Sequence, residues 1–424
     1  MESPSSVPLC AHSSSFNRLL MNQSPHTFLC ICSYFKGEDF LIASKEAGNR
    51  VYLITSLKLK DENWPWDHID DVFFMEEQED GFWNMEHLIQ AVAYQMRSIR
   101  IDRFVALDDF DVEKVSRLRE QFRIPGMGDT TSRYFRDKLA MRVKARLEGI
   151  PVPAFTSLFN DAQINEYADT ISPPWMIKPR SEASAVGIKK IETKERLWEI
   201  LNELGDDRHR YLLEKFSPGK VFHADALTYQ GKVVFSRISG YLDTPFEVSH
   251  HGGIFRSQTL ALNDPDSKAL IALNKRVLKA FGMQYSASHT EFIKSDETGE
   301  YFFLETSSRV GGAHLAEMVE AASGVNLWKE WALLENAVAK DETYTIPKDK
   351  KKHAGIVVSL SRFEHPDMSA FDDDSIVWKI NKPWHVGLII ASEKFGEIRK
   401  KLDVYTEKIR HEYHASAPAP LKST

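Results

Sequence analysis

Cysteine is scarce in this 424-residue chain: there are three, Cys10, Cys30 and Cys32. So few exclude a disulfide scaffold at this length and point to a reducing, cytoplasmic setting. A structural zinc site needs about four ligands, and no second pair accompanies Cys30 and Cys32. Their alternation in Thr27-Phe-Leu-Cys-Ile-Cys-Ser-Tyr34 reads as one face of a strand. No apolar run approaches the roughly 20 residues of a membrane span. Charge of one sign is also missing: 54 Lys and Arg stand against 61 Asp and Glu, a net −7, which gives no footprint for nucleic acid. No G-x-G-x-x-G follows the first apolar strand, so the dinucleotide fingerprint is absent. Residues 1–26 are Ser-rich and lack the basic start, apolar core and cleavage site of a signal peptide. They are expected to be a disordered extension, with Met21 as an alternative start, and the Ala/Pro-rich tail 413–424 is expected to be disordered as well.

What the chain does contain is a regular order of elements. Hydrophobic residues at 42% and charged residues at 27% fit a soluble globular protein of several domains. From Phe28 to about Pro125, short apolar strands (Phe28–Ser33, Val51–Thr55, Val72–Met75, Arg103–Leu107) alternate with helical patterns (Glu38–Ala47, Met85–Met96, Val112–Phe122), which predicts a parallel sheet with helices on its faces. A helix from Arg136-Asp-Lys138 runs to Gly149, where Pro151 and Pro153 stop it. Beyond it the layout is α+β: strands Trp175–Pro179, Lys189–Ile191, Tyr211–Glu214, Val221–Leu227 and Val233–Ile238 are interrupted by helix Lys194–Leu204. Helices Asp266–Phe281 and Leu327–Lys340 flank the segment that carries most of the chemistry, and further strands and helices run from Ala354 to about Ile409.

That segment is Phe302-Phe-Leu-Glu-Thr-Ser-Ser-Arg-Val-Gly-Gly312, preceded by His289-Thr-Glu-Phe-Ile293. Glu291 and Glu305 on adjacent strands form a hard-oxygen pair suited to Mg²⁺, and Arg309 suits a planar anion. Upstream, the strand Trp175-Met-Ile-Lys178 delivers Lys178 and Arg180 to a loop of small residues, Ser181 to Gly187 with Ser184 at its centre. Small side chains let backbone N–H groups approach phosphates, although the same stretch also reads as a surface hairpin. Tyr211-Leu-Leu-Glu-Lys-Phe-Ser-Pro-Gly219 reads as a strand with a Pro-Gly turn, or as a hinge that presents backbone to a base edge while Phe216 packs on it.

Taken in order, these pieces resemble the ATP-grasp superfamily from about Phe28 to Phe395, most closely the carboxylate–amine ligases of its L-amino-acid ligase and biotin-carboxylase-like branches. The resemblance implies a pre-ATP-grasp α/β domain at 27–130, followed by a two-part ATP-grasp fold: a small lid subdomain at 131–210, a large subdomain with the metal site at 211–345 and a C-terminal α/β part at 346–412. It implies that Lys138 and Lys178 bind ATP phosphates under the Ser181–Gly187 loop. Glu214, Lys215 and Phe216 would line the adenine pocket, and Glu291, Glu305 and Ser307 would hold Mg²⁺, with Mn²⁺ as an alternative. Arg309 would bind the substrate carboxylate or acyl phosphate, and Gly311 and Gly312 would let that substrate approach. The implied partners are a small carboxylate and an amine, with no nucleic acid and no membrane, and a homodimer is left open.

Two positions depart from the family pattern. Ser307 stands where many members carry Asn, and Lys220 stands where an acidic residue often contacts ribose, with His223 and Asp225 as substitutes. Alternatives for the whole chain are a kinase or biotin-dependent carboxylase on the same fold, or an inactive nucleotide-binding regulator. No Ala-Met-Lys-Met carrier segment is present. Two further features keep two readings each. His250-His-Gly-Gly253 lines an acceptor pocket or is an exposed loop, and His289, on the strand face of Glu291, is a structural histidine or a substrate contact. Asp108-Asp109 ends a strand at the edge where α/β sheets bind ligands, and Lys348–Lys352 reads as a solvated charge run.

Overall fold

The computed structural model describes residues 25–79, 81–182 and 186–416. Most of the expected N-terminal extension and tail, and Ser184 of the small-residue loop, lie outside the described residues.

Three sheets organise the described chain. The first is parallel throughout, in the order Asp71–Met75, Arg50–Ser56, Thr27–Cys32, Arg103–Ala106. Its central strand shows why the cysteines alternate. Phe28, Cys30 and Cys32 face one apolar cluster that includes Phe40 and Trp331, while Leu29 and Ile31 face another around Leu88, Val92 and Leu118. A strand buried on both faces reads as a continuous apolar run, as this one does. Helix Leu327–Lys340 packs on helix Glu38–Glu46, and the buried pair Arg103–Glu335 joins the first sheet to the rest of the chain.

The second sheet is antiparallel and small: Phe155–Ser157, Tyr211–Lys215, Trp175–Pro179, Lys189–Ile191. Helices Asp161–Thr170 and Lys194–Leu204 cover it through Ile164, Leu197 and Leu201. The third has eight antiparallel strands in the order Tyr301–Ser307, Ser286–Ser295, Gly219–Tyr229, Lys232–Tyr241, Phe255–Thr259, His353–Leu360, His385–Ser392, Ile376–Lys379. The C-terminal segment therefore adds its strands to the sheet that carries Glu291 and Glu305.

The elements not read from the sequence include three helices. Helix Asp161–Thr170 starts at Asn160, whose side chain accepts from Gln163 N–H. Helix Pro245–His251 begins with a capping box between Thr244 and Glu247 and Pro at its first position, a signal present in the sequence. Helix Leu315–Ser323 follows Ala313 and His314, both at positive φ (53° and 59°). Among the described residues no helix is long and apolar enough to cross a membrane.

Candidate active site

The site is built on two paired strands. Glu291 lies opposite Glu305, and His289 opposite Ser307. Just past the carboxylate pair the register shifts, so that Phe292 pairs with Phe303 and Leu304 is left out of the ladder. Such a bulge frees backbone groups, and Arg142 takes the Leu304 carbonyl.

Each carboxylate has a partner from another element. Tyr241 donates its hydroxyl to Glu291 Oε1 at 2.8 Å. Lys138, the first residue of helix Lys138–Leu147, places Nζ 2.6 Å from Glu305 and 2.7 Å from the Glu182 carbonyl of the small-residue loop. Its helix is capped by Asp137, which also pairs with Arg180. A cavity of about 340 Å³ opens here, lined by Glu291, Glu305, Lys138, Ser307, Arg309 and Gly312, with an apolar wall of Val248, Phe255 and Leu315. Burial alone would raise the Glu291 carboxyl, but the His289 hydrogen bond and charge, with the Tyr241 hydroxyl, hold it below its usual range.

Behind Glu291 runs a buried hydrogen-bond chain. His223 Nδ1 and His289 Nδ1 both contact the Asp225 carboxylate, at 2.7 and 2.8 Å, and His223 Nε2 reaches Ser257 Oγ at 2.8 Å. Burial opposes a charge on His289, yet Asp225 and Glu291 push its pKa up to about 10. These three residues also form the described chain's His/Asp/Glu/Cys group compact enough for a metal. Their inward nitrogens are already occupied, so the group works as a brace. This corrects the ribose expectation: His223 and Asp225 are fully buried and cannot replace an acidic residue at Lys220. It also changes the account of the glycines. A Cβ on Gly311 would lie 2.7 Å from Asp225 Oδ1 and 2.8 Å from His289 Nδ1, whereas one on Gly312 meets nothing within 4 Å. Gly311 serves the brace, and only Gly312 leaves room in the cavity.

Arg309 is held by Asp109, whose Oδ2 accepts from Nε at 2.8 Å and from Nη2, while Nη1 donates to the Val310 carbonyl. Burial works against both charges, but the pair lowers the Asp109 carboxyl and raises the Arg309 guanidinium. Asp108 is held apart by Lys36. Sequence spacing gives no sign of the Asp109–Arg309 pair, whose members stand 200 residues apart.

The expected adenine side looks different. The Glu214 carboxylate is buried between Arg142 Nε (2.6 Å) and Lys178 Nζ. Burial would raise its pKa, and the two cations outweigh that and hold it at about 2. Lys178 Nζ is thereby held by Glu214, and Lys178 is not among the residues lining that cavity. Lys215 turns its Nζ to the Ser172 and Pro173 carbonyls, and the N–H groups of Lys215 and Phe216 already bond Ala154 and Pro174. Lys190 sits over the Phe216 ring at 4.7 Å. Gly187 turns the hairpin at φ +70°, where a Cβ would also press on Pro179 at 2.9 Å, and Ser181 opens the same loop. Ser307 Oγ is buried with no hydrogen-bond partner among the described residues. The His250-His251 pair ends helix Pro245–His251, and its side chains lie outside the described residues.

No protein-family model matches the chain. Over 251 residues it is 28% identical to the L-arginine-specific L-amino acid ligase of Bacillus subtilis, covering 58% of this chain and 60% of that protein. It is 24% identical over 204 residues to a D-alanine–D-alanine ligase of Neisseria gonorrhoeae, 47% of this chain and 66% of that one. The alignments thus span less than two thirds of these relatives' own lengths. The crystal structure of an L-amino acid ligase from Bacillus licheniformis superposes with a TM-score of 0.72 at 16% identity, covering 92% of this chain and 98% of that one. The chain shares its fold with ATP-grasp structures. That agrees with the parallel first sheet and the two antiparallel sheets that follow it, and ATP-grasp ligases as a group use ATP with Mg²⁺.

Proposed function

We propose that this chain is an ATP-grasp carboxylate–amine ligase, which activates a small carboxylate as an acyl phosphate for attack by an amine. The observation that carries the reading is the in-register pair Glu291–Glu305, with Lys138 reaching from Glu305 to the loop that would cover the phosphates.

The donor set fits Mg²⁺. Two carboxylates face each other across one strand pair, and the buried Ser307 hydroxyl beside them lacks a partner among the described residues. Hard oxygen donors with room for water and phosphate oxygens suit this ion. Glu291, Glu305 and Ser307 would hold it, and when bound it supplies positive charge to the phosphate oxygens. Lys138 adds a second positive charge at the same place. Phosphoryl transfer depends on positioning and charge neutralisation more than on covalent help, so these groups suffice for the first step. In that step a substrate carboxylate oxygen takes the γ-phosphoryl group and ADP leaves. The acyl phosphate must be kept from water, which the Ser181–Gly187 loop would do, with its Glu182 carbonyl accepting from Lys138. An amine then attacks the acyl carbon and phosphate departs: carboxylate + amine + ATP gives amide + ADP + phosphate. Arg309, fixed by Asp109, holds its guanidinium still beside the reacting groups.

The test is Glu305→Gln, which keeps the shape and removes one charge. ADP release should fall by at least roughly 100-fold, as expected when a charge-neutralising group is lost from the transition state. Unchanged release would remove the metal assignment.

A further inference from the structure

A second cavity, an open groove of about 610 Å³, lies apart from the first. No residue lines both, and none of its lining residues is among those the resemblance assigns to nucleotide or metal. Its size suits a small molecule. Ile150, Val152, Phe155, Ile171 and Phe302 give it an apolar floor. Polar groups along the wall are already engaged. The Pro151 carbonyl accepts from Phe303 N–H, the Ala154 carbonyl from Lys215 N–H and the Tyr167 hydroxyl, and the Gly149 carbonyl from Arg276. Pro151 and Pro153 have no N–H to offer. Two charged side chains remain, Arg146 and Glu300, both exposed, and neither side chain has a hydrogen bond or ion pair among the described residues. The Arg146 guanidinium is nevertheless held in place. Its Cζ lies 4.6 Å from the centre of the Phe155 ring, an arrangement that fixes the guanidinium and leaves N–H donors open to a carboxylate.

We propose that this groove is a regulatory site for a small zwitterion with an apolar side chain, its carboxylate on Arg146, its ammonium beside Glu300 and its side chain on the floor. A plain anion would meet the charge of Glu300, and a plain cation that of Arg146. A ligand carrying both charges matches both. The groove also crosses a joint in the fold. Phe155 begins a strand of the small antiparallel sheet, and Phe302 lies on the strand that carries Glu305 three residues on. Arg146 is on the helix whose first residue, Lys138, contacts Glu305. A ligand seated across the groove ties these elements together, so its binding is linked to that of a nucleotide held by Lys138 and Glu305. The inference goes beyond the ligase reading, because it concerns a ligand that is bound and not consumed.

The test is calorimetric binding to the full chain, which does not depend on turnover. L-leucine, L-phenylalanine and L-tryptophan are titrated with and without Mg²⁺ and a non-hydrolysable ATP analogue, beside their amides, which lack the carboxylate, and their des-amino acids, which lack the ammonium. At least one zwitterion should bind, and its amide and des-amino acid should each bind roughly 5-fold more weakly, the upper end for a solvent-open charge pair. Arg146→Met should weaken the zwitterion by the same factor and leave the amide unchanged. Glu300→Gln should weaken the zwitterion and leave the des-amino acid unchanged. The nucleotide analogue alone should bind both variants as it binds wild type, which also shows them to be folded. In wild type, zwitterion and nucleotide should change each other's affinity by one common factor, and that factor should vanish in Arg146→Met. The site is overturned if none of the three zwitterions binds, or if binding ignores both substitutions, which would place it in the other cavity. It is overturned too if zwitterion and nucleotide ignore each other, or if Arg146→Met instead dissociates an oligomer in sedimentation, which would make the groove a contact between copies. ADP release judges the ligase reading separately: a zwitterion that couples to the nucleotide without any release would keep this site and sink the ligase, whereas release in a protein whose groove binds nothing would do the reverse.

Discussion

Glu214→Gln separates two meanings of one residue. The resemblance assigns Glu214 to the adenine pocket, whereas the structure buries its carboxylate between Arg142 and Lys178. Both Arg142 and Glu214 are 1% exposed, so the substitution leaves a fully buried guanidinium without its counterion. Breaking a buried pair in this way costs about 3–5 kcal/mol. The titration gives a similar size: a carboxyl held at about 2 instead of 4.5 corresponds to about 3 kcal/mol. The sign follows from linkage. The folded pKa is depressed, so the contribution is present above about 4.5 and is lost as the pH falls toward about 2. Urea unfolding of wild type and Glu214→Gln, followed by tryptophan fluorescence, should show a gap of about 3 kcal/mol at neutral pH that narrows at about pH 3. The reasoning is refuted if the variant unfolds within about 0.5 kcal/mol of wild type, a surface-like effect, while its affinity for ATP falls.

Further tests bear on the brace and the cavity. Gly311→Ala should lower stability by about 1–3 kcal/mol and depress turnover, because its Cβ would press on Asp225 and His289, as overpacking does. Gly312→Ala should unfold like wild type, and any loss should appear in the KM of a substrate; equal destabilisation by both would contradict the assignment. Tyr241→Phe removes the 2.8 Å bond to Glu291. Its Mg²⁺ requirement for ADP release should rise roughly 10- to 150-fold, the worth of one hydrogen bond to a charged group, and an unchanged Mg²⁺ titration would show that Glu291 needs no such support.

Local pattern carried most of the elements. Helices Val112–Phe122, Lys194–Leu204 and Leu327–Lys340 appear as their periodicity predicts, because each has one apolar face and a clear stop. Helix Pro245–His251 was missed because its His-His-Gly-Gly end reads as a loop, although Thr244-Pro-Phe-Glu247 carried a start signal. The pairing of Glu291 with Glu305 was legible because both sit on short apolar strands close in sequence. What could not be read was which charges would neutralise each other. Asp109 meets Arg309 across 200 residues, and Arg142 meets Glu214 across 72. Such pairs depend on how sheets meet, which spacing does not encode.

The most direct test of the central claim is release of ADP and phosphate by the purified protein with Mg-ATP, across amino acids and other small carboxylates, singly and in pairs. The account predicts release that requires both a carboxylate and an amine and that disappears in Glu305→Gln. ATP binding with no release on any pair, or release indifferent to Glu305, would contradict it.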